Sequence, residues 1–122
     1  MFNTNPNIAN LTEIYGNTAA QLVTTSAANL VVNASSSGKI YKINALYVSN
    51  YHGTNAADIT INHSIGGNAG ISILSTVSVV ADSVLVAITK DSSIYLMENQ
   101  SLTISASAAS SLSVICSWDE IH

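Results

Sequence analysis

The chain has no arginine, one cysteine, one proline, one tryptophan and one phenylalanine in 122 residues. Charge is almost as scarce. Three lysines and seven acids make 8% of the residues charged, against about 25% in an ordinary domain. Each absence excludes something. Without arginine, and with a net charge of −4, there is no electrostatic footprint for a phosphate backbone, so no nucleic-acid partner is expected. A lone cysteine, Cys116, cannot form an internal disulfide or a cysteine-based zinc knuckle. No apolar run approaches the ~20 residues that span a bilayer, so no membrane partner is expected. The opening Met1-Phe2-Asn3-Thr4-Asn5-Pro6 has neither a basic nor an apolar stretch, and no secretory signal is expected there.

What is present is apolar residues and uncharged polar ones. Hydrophobic residues make up 48%, and the mean hydropathy is +0.36. Serine, threonine and asparagine account for 42 of the 122 residues, so hydroxyls and amides supply the polarity that charge usually supplies. The length suits one domain with one real core. Residues 1–16 begin Asn-rich around Pro6 and are expected to form an extended N-terminal arm. Residues 17–122 are expected to form the folded domain.

From residue 18 onward the hydrophobic period is two, the signature of strands with one face buried. Asp58–Ile65 places Ile59, Ile61 and Ile65 on one face. Leu112–Trp118 does the same with Leu112, Val114, Cys116 and Trp118. Leu102–Ala106 is a third case. The long run Lys39–Asn50 switches its apolar face near Ile43-Asn44, which predicts a bulge. Val77–Ile88 breaks at Ala81-Asp82-Ser83 into two strands. Ser92–Met97 reads as a strand turned through Glu98–Ser101 into Leu102, a hairpin. Asn17–Val23 carries both helical and extended signals, and the threonines that follow favour a strand. Breakers at 35–38, 51–55 and 66–70 and a small-residue turn at 108–111 separate these runs. The whole predicts an all-β fold: a single antiparallel β-sandwich or jelly roll of about eight or nine strands.

Little in the chain points to chemistry. His52, His63 and His122 lack the short spacing of metal ligands, and no metal or cofactor site is expected. His63 reads as a partly buried, hydrogen-bonded histidine. The seven acids are scattered, with no pair suited to glycoside cleavage and no calcium-loop pattern. Asp119-Glu120 reads as a solvated end after the last strand. Cys116 reads as a small buried hydrophobe rather than a nucleophile. No catalytic residue is expected, and the protein is not expected to be an enzyme. The tyrosines are the better candidates. An apolar ring with a polar tip suits both sheets and interfaces, and interface cores are depleted in charge. Tyr41, Tyr47 and Tyr51 lie in or beside the long strand. Together with Ile8, Leu11, Ile14 and Tyr15 of the arm, they are the candidate interface residues.

Two long segments, SSGKIYKINALYVSNYHGTNAADITI and SIYLMENQSLTISASAASSLSVICSWDEI, resemble small β-sandwich virion proteins of tailed bacteriophages, especially those of marine and cyanobacterial hosts. The resemblance covers most of Thr18–Ile121 and rests on turn chemistry rather than on catalytic residues. It implies a non-enzymatic head decoration (cement) protein, made in the host cytoplasm and placed on the capsid surface. There it would bridge capsid subunits, with the major capsid protein and two further copies of itself, as a homotrimer, for partners. The alternative it implies is a tail, neck or fibre-associated adaptor with a host glycan as a candidate ligand.

Overall fold

The computed structural model describes residues 13–66, 68 and 70–122. They form two antiparallel sheets packed face to face, the expected β-sandwich. The front sheet carries, in spatial order, β1 (Ile14–Leu22), β9 (Leu112–Ile121), β3 (Ile40–Asn50) and β6 (Val84–Ile88). The short β7 (Ile94–Leu96) pairs with the other half of β3. The back sheet carries β2 (Ala28–Asn33), β8 (Gln100–Ala106), β4 (Ala57–Ile65) and β5 (Ile71–Val79). The candidate arm residues Ile14, Tyr15 and Gly16 are the first three residues of β1 and pair with Ile121, Glu120 and Asp119. Ile8 and Leu11 lie outside the described residues.

The period-two pattern builds the core. Leu46 and Val48 of β3 and Leu112, Val114 and Cys116 of β9 point inward, against Ile59 and Ile61 of β4 and Leu102 and Ile104 of β8. All of these are essentially inaccessible to solvent. Each such side chain removed from water contributes roughly 1.5–3 kcal/mol. The bulge predicted at Ile43-Asn44 is present: the β3–β9 register shifts between Ile43 and Ala45. Ile65 departs from the pattern. Beyond Ile61 the buried phase of its strand changes: Ser64 is buried and the Ile65 side chain is half exposed.

Residues 92–102 also fold differently from the hairpin that the sequence pattern predicts. β7 pairs with β3 in the front sheet, whereas β8 pairs with β2 and β4 in the back sheet. The turn between them is a crossing from one sheet to the other. Asn99 takes a left-handed conformation (φ 65°), and its N–H donates to the Asn33 carbonyl at 2.9 Å. Glu98 is buried and accepts the Gly38 N–H at 2.9 Å. A strand–turn–strand pattern specifies a reversal of direction, but not which neighbour each strand finds.

Two buried asparagines tie the sheets together at opposite ends of β3. Asn33, at the end of β2, donates its side-chain N–H groups to the carbonyls of Lys39 and Leu96, each at 2.9 Å. Its Oδ1 accepts from the Ser37 hydroxyl. Asn50, at the end of β3, donates to the carbonyls of Asn55 (3.0 Å) and Val79 (2.9 Å), and its Oδ1 accepts the His52 N–H. Leu96 and Val79 each belong to the sheet opposite the asparagine that reaches them.

Two outcomes follow from this core. Asn33→Asp keeps the shape but removes the donor, leaving two buried carbonyls unpaired. It should cost about 2–3 kcal/mol in urea unfolding. The second concerns Cys116, which is inaccessible and whose thiol burial pushes up to about 12. It should react with thiol reagents at pH 8 only as fast as the chain unfolds. Because only the unfolded thiol ionises near 9, stability should fall as pH rises from 9 toward about 12. Cys116→Val should remove that component of the slope.

Candidate functional site

Strand pleating decides which tyrosines can meet a partner. Before the bulge, Tyr41 shares the inward face with Ile43. It packs on the core and stacks on Trp118, with ring centroids 6.2 Å apart. Burial, and then the neighbouring carboxylate of Glu120, raise its hydroxyl pKa. After the bulge the phase is reversed. Tyr47 sits between core residues Leu46 and Val48 and therefore faces out, 42% exposed. Tyr51, just past the end of β3, is also exposed. Tyr15 and Ile14 are exposed at the start of β1. Tyr15 donates its hydroxyl to Glu13, and that hydrogen bond, followed by the carboxylate charge, raises the tyrosine pKa. Its ring lies against His122, with centroids 5.1 Å apart. The candidate residues thus divide between the inner face, the outer face and two ends of the front sheet.

What the register does assemble is a row across the outer face of the front sheet. Ala20 of β1 pairs with Ile115 of β9, Ile115 with Tyr47 of β3, and Tyr47 with Val86 of β6. All four are exposed, Ile115 by 49%. The adjacent row is Leu22, Ser113, Ser49 and Val84, by the same pairings. On the other side, Thr18 pairs with Ser117 and Ser117 with Ala45. None of these residues carries a charge.

Charged groups of the front sheet gather at the opposite end of its strands. Lys42 and Asp119 are register partners. Lys39 forms a salt bridge with Glu120 at 3.1 Å, which raises the lysine pKa, and Asn17 donates to the same carboxylate at 2.9 Å. The sequence pattern places Asp119-Glu120 beyond the last strand as a solvated end. Instead β9 runs on to Ile121, and both acids are partly buried in its ladder.

Ile115, Val84, Val86, Leu22 and Ala20 are exposed residues of this face that the sequence does not single out. A signal for Ile115 was present: it is apolar in the phase opposite to Leu112, Val114 and Cys116. Val84–Ile88 is apolar in both phases, so neither face of β6 could be read as the exposed one.

No group of three or more His, Cys, Asp or Glu side chains among the described residues is placed to hold a metal. The histidines hold local structure. His52 Nδ1 accepts the backbone N–H groups of Thr54 (3.2 Å) and Asn55 (3.1 Å), closing a turn. His63 Nε2 lies 3.2 Å from Gln100 Oε1, partly buried as expected.

No family model and no curated protein matches the chain. Among solved structures, the fold is similar to that of a chain from work titled "Bacillus endospore appendages form a novel family of disulfide-linked pili". The TM-score is 0.54 at 20% identity, over 88% of this chain and 85% of that one. This likeness establishes a shared all-β sandwich fold.

Proposed function

We propose that the protein is a non-enzymatic structural subunit that works by joining a larger assembly through the outer face of its front sheet. The row Ala20–Ile115–Tyr47–Val86, exposed and uncharged across four strands, carries this reading. Single exposed hydrophobes are ordinary on a protein surface, whereas a contiguous apolar patch marks a contact site. Covering the row removes apolar area and one tyrosine from water without desolvating any charge, at about 25 cal/mol per Å² buried.

The form of assembly we favour is the capsid surface. The sequence resemblance to phage virion proteins supports it, as does a composition rich in small uncharged residues. A decoration protein binds the assembled shell rather than free subunits, and so stabilises the shell by mass action. The major capsid protein and further copies of this chain would be its partners, with Ile8 and Leu11 as anchors ahead of β1. A subunit of an extracellular appendage is the second reading, supported by the fold shared with the endospore appendage chain.

Quantitative mass spectrometry of purified particles tests the capsid reading. A copy number comparable to that of the major capsid protein is expected. A few copies per particle would move the protein to the tail, and none would overturn the virion assignment. Ile115→Lys places a charge in the centre of the row. It should weaken particle binding roughly 100-fold or more while leaving thermal unfolding within a degree or two, because Ile115 lies outside the core. Unchanged binding would remove the outer face from the contact.

A further inference from the structure

The front sheet has a second surface, its β1 edge. Glu13 and His122 exchange both backbone hydrogen bonds, at 2.7 and 2.9 Å, and the β1–β9 register runs without a shift from Ile14 to Leu22. Hydrogen-bonded pairs alternate along an antiparallel ladder. Tyr15, Asn17, Ala19 and Gln21 therefore direct their N–H and C=O groups at β9. Ile14, Gly16, Thr18, Ala20 and Leu22 direct theirs away from it, and among the described residues no strand takes them up.

Exposed edges are normally blunted by charge, proline, bulges or short length. The other edges here are interrupted. The β2 ladder shifts register between Asn29 and Val31, and the β6 ladder between Leu46 and Tyr47. The β5 ladder shifts twice, and that strand holds Thr76 in a left-handed conformation (φ 48°). β1 has none of these devices. It spans nine residues, IYGNTAAQL, with no charge, no proline and no register shift.

We propose that two copies of this chain pair through β1, antiparallel about a two-fold axis at Thr18, merging their front sheets into one. This deepens the reading of the protein as an assembling subunit and rests on it. The strand is self-complementary in that register. Ile14 meets Leu22 of the second copy, and these two are 67% and 64% exposed in the single chain. Gly16 meets Ala20, and Thr18 meets itself. All five residues with outward-directed backbone groups then sit in hydrogen-bonded pairs, so every open donor and acceptor of the edge finds a partner. Despite the net charge of −4, no charge faces another along the strand. A second copy is thus matched in backbone phase, side-chain size and charge. The outer faces of the two copies lie on one side of the extended sheet, with the apolar row of each, through Ala20, in line with the Gly16–Asp119–Lys42 row of the other.

Sedimentation velocity of the full chain over a concentration series tests this. A species of twice the 12.7 kDa chain mass is expected. Thr18→Pro removes an N–H that β9 does not use, and should raise the dimer dissociation constant ~100-fold or more with an unchanged far-UV spectrum. Ile14→Asp should weaken the dimer through a side chain, by setting a carboxylate against Leu22 of the second copy, which guards against a backbone distortion by proline. Thr18→Cys, treated with a short bifunctional thiol reagent, should give a covalent dimer. Leu22→Cys should not, because its two copies would lie about 27 Å apart in this register. Cys116, being buried, leaves that background clear. A single-chain mass at every concentration would overturn the proposal, as would a mass of three chains. A dimer that survives Thr18→Pro and Ile14→Asp but is lost in Ile115→Lys would also overturn it, while leaving the assembly reading and its outer-face contact in place.

Discussion

Asn33 and Asn50 each carry a side-chain amide from one sheet to a main-chain carbonyl of the other, at 2.9 Å in both cases. Hydrophobic packing between two sheets is non-directional and would tolerate a slide or a rotation. A buried amide with all its bonds made has one acceptable position, and a misplaced one leaves donors and acceptors unpaired in a medium that cannot solvate them. The two amides stand at opposite ends of β3 and fix the sheets against each other at two points. The core residues between those points can then be ordinary isoleucine, leucine and valine. The Asn33 carbonyl also receives Asn99, so the same locus sets where the chain crosses from β7 to β8.

The second constraint is the one-residue bulge at Asn44. Without it, Tyr41 and Tyr47 would share a face, since both are odd-numbered positions of one strand. With it, Tyr41 joins Trp118 on the inner side, and Tyr47 joins Ile115 and Val86 on the outer side. One inserted residue thus separates a packing tyrosine from an exposed one.

The centres of β3, β4, β6, β8 and β9, the inward face of Leu112–Trp118 and the bulge were legible in the sequence, because each is a matter of local period, whereas strand ends such as Ile14–Gly16, Ile71–Thr76 and Asp119–Ile121 were not. Three features were not, and each depends on something distant. Asn33 and Asn50 look like any of the thirteen asparagines, because their partners lie in other strands. The departure of β8 from β7 depends on competition among strands for neighbours, which no local pattern records. The outer-face row exists only once four strands are set side by side in register. Ile115 could be flagged alone, but its alignment with Ala20, Tyr47 and Val86 could not. Tyr51 and Tyr15 were candidates as interface tyrosines, and the structure exposes both, yet they stand at the ends of strands rather than with Tyr47.

The lack of charge on the outer face has a kinetic consequence. Surfaces of opposite potential steer their partners together and accelerate association up to 10⁸–10⁹ M⁻¹s⁻¹, whereas neutral patches meet at about 10⁵–10⁶ M⁻¹s⁻¹. A face made of Ala20, Ile115, Tyr47, Val86 and their serine and threonine neighbours recruits nothing from a distance. Its encounters are slow and nearly indifferent to ionic strength, because there are no ion pairs to screen. Such a surface holds by shape and excluded water once contact is made. A joint made through such a surface persists through changes of salt that would loosen a charged one.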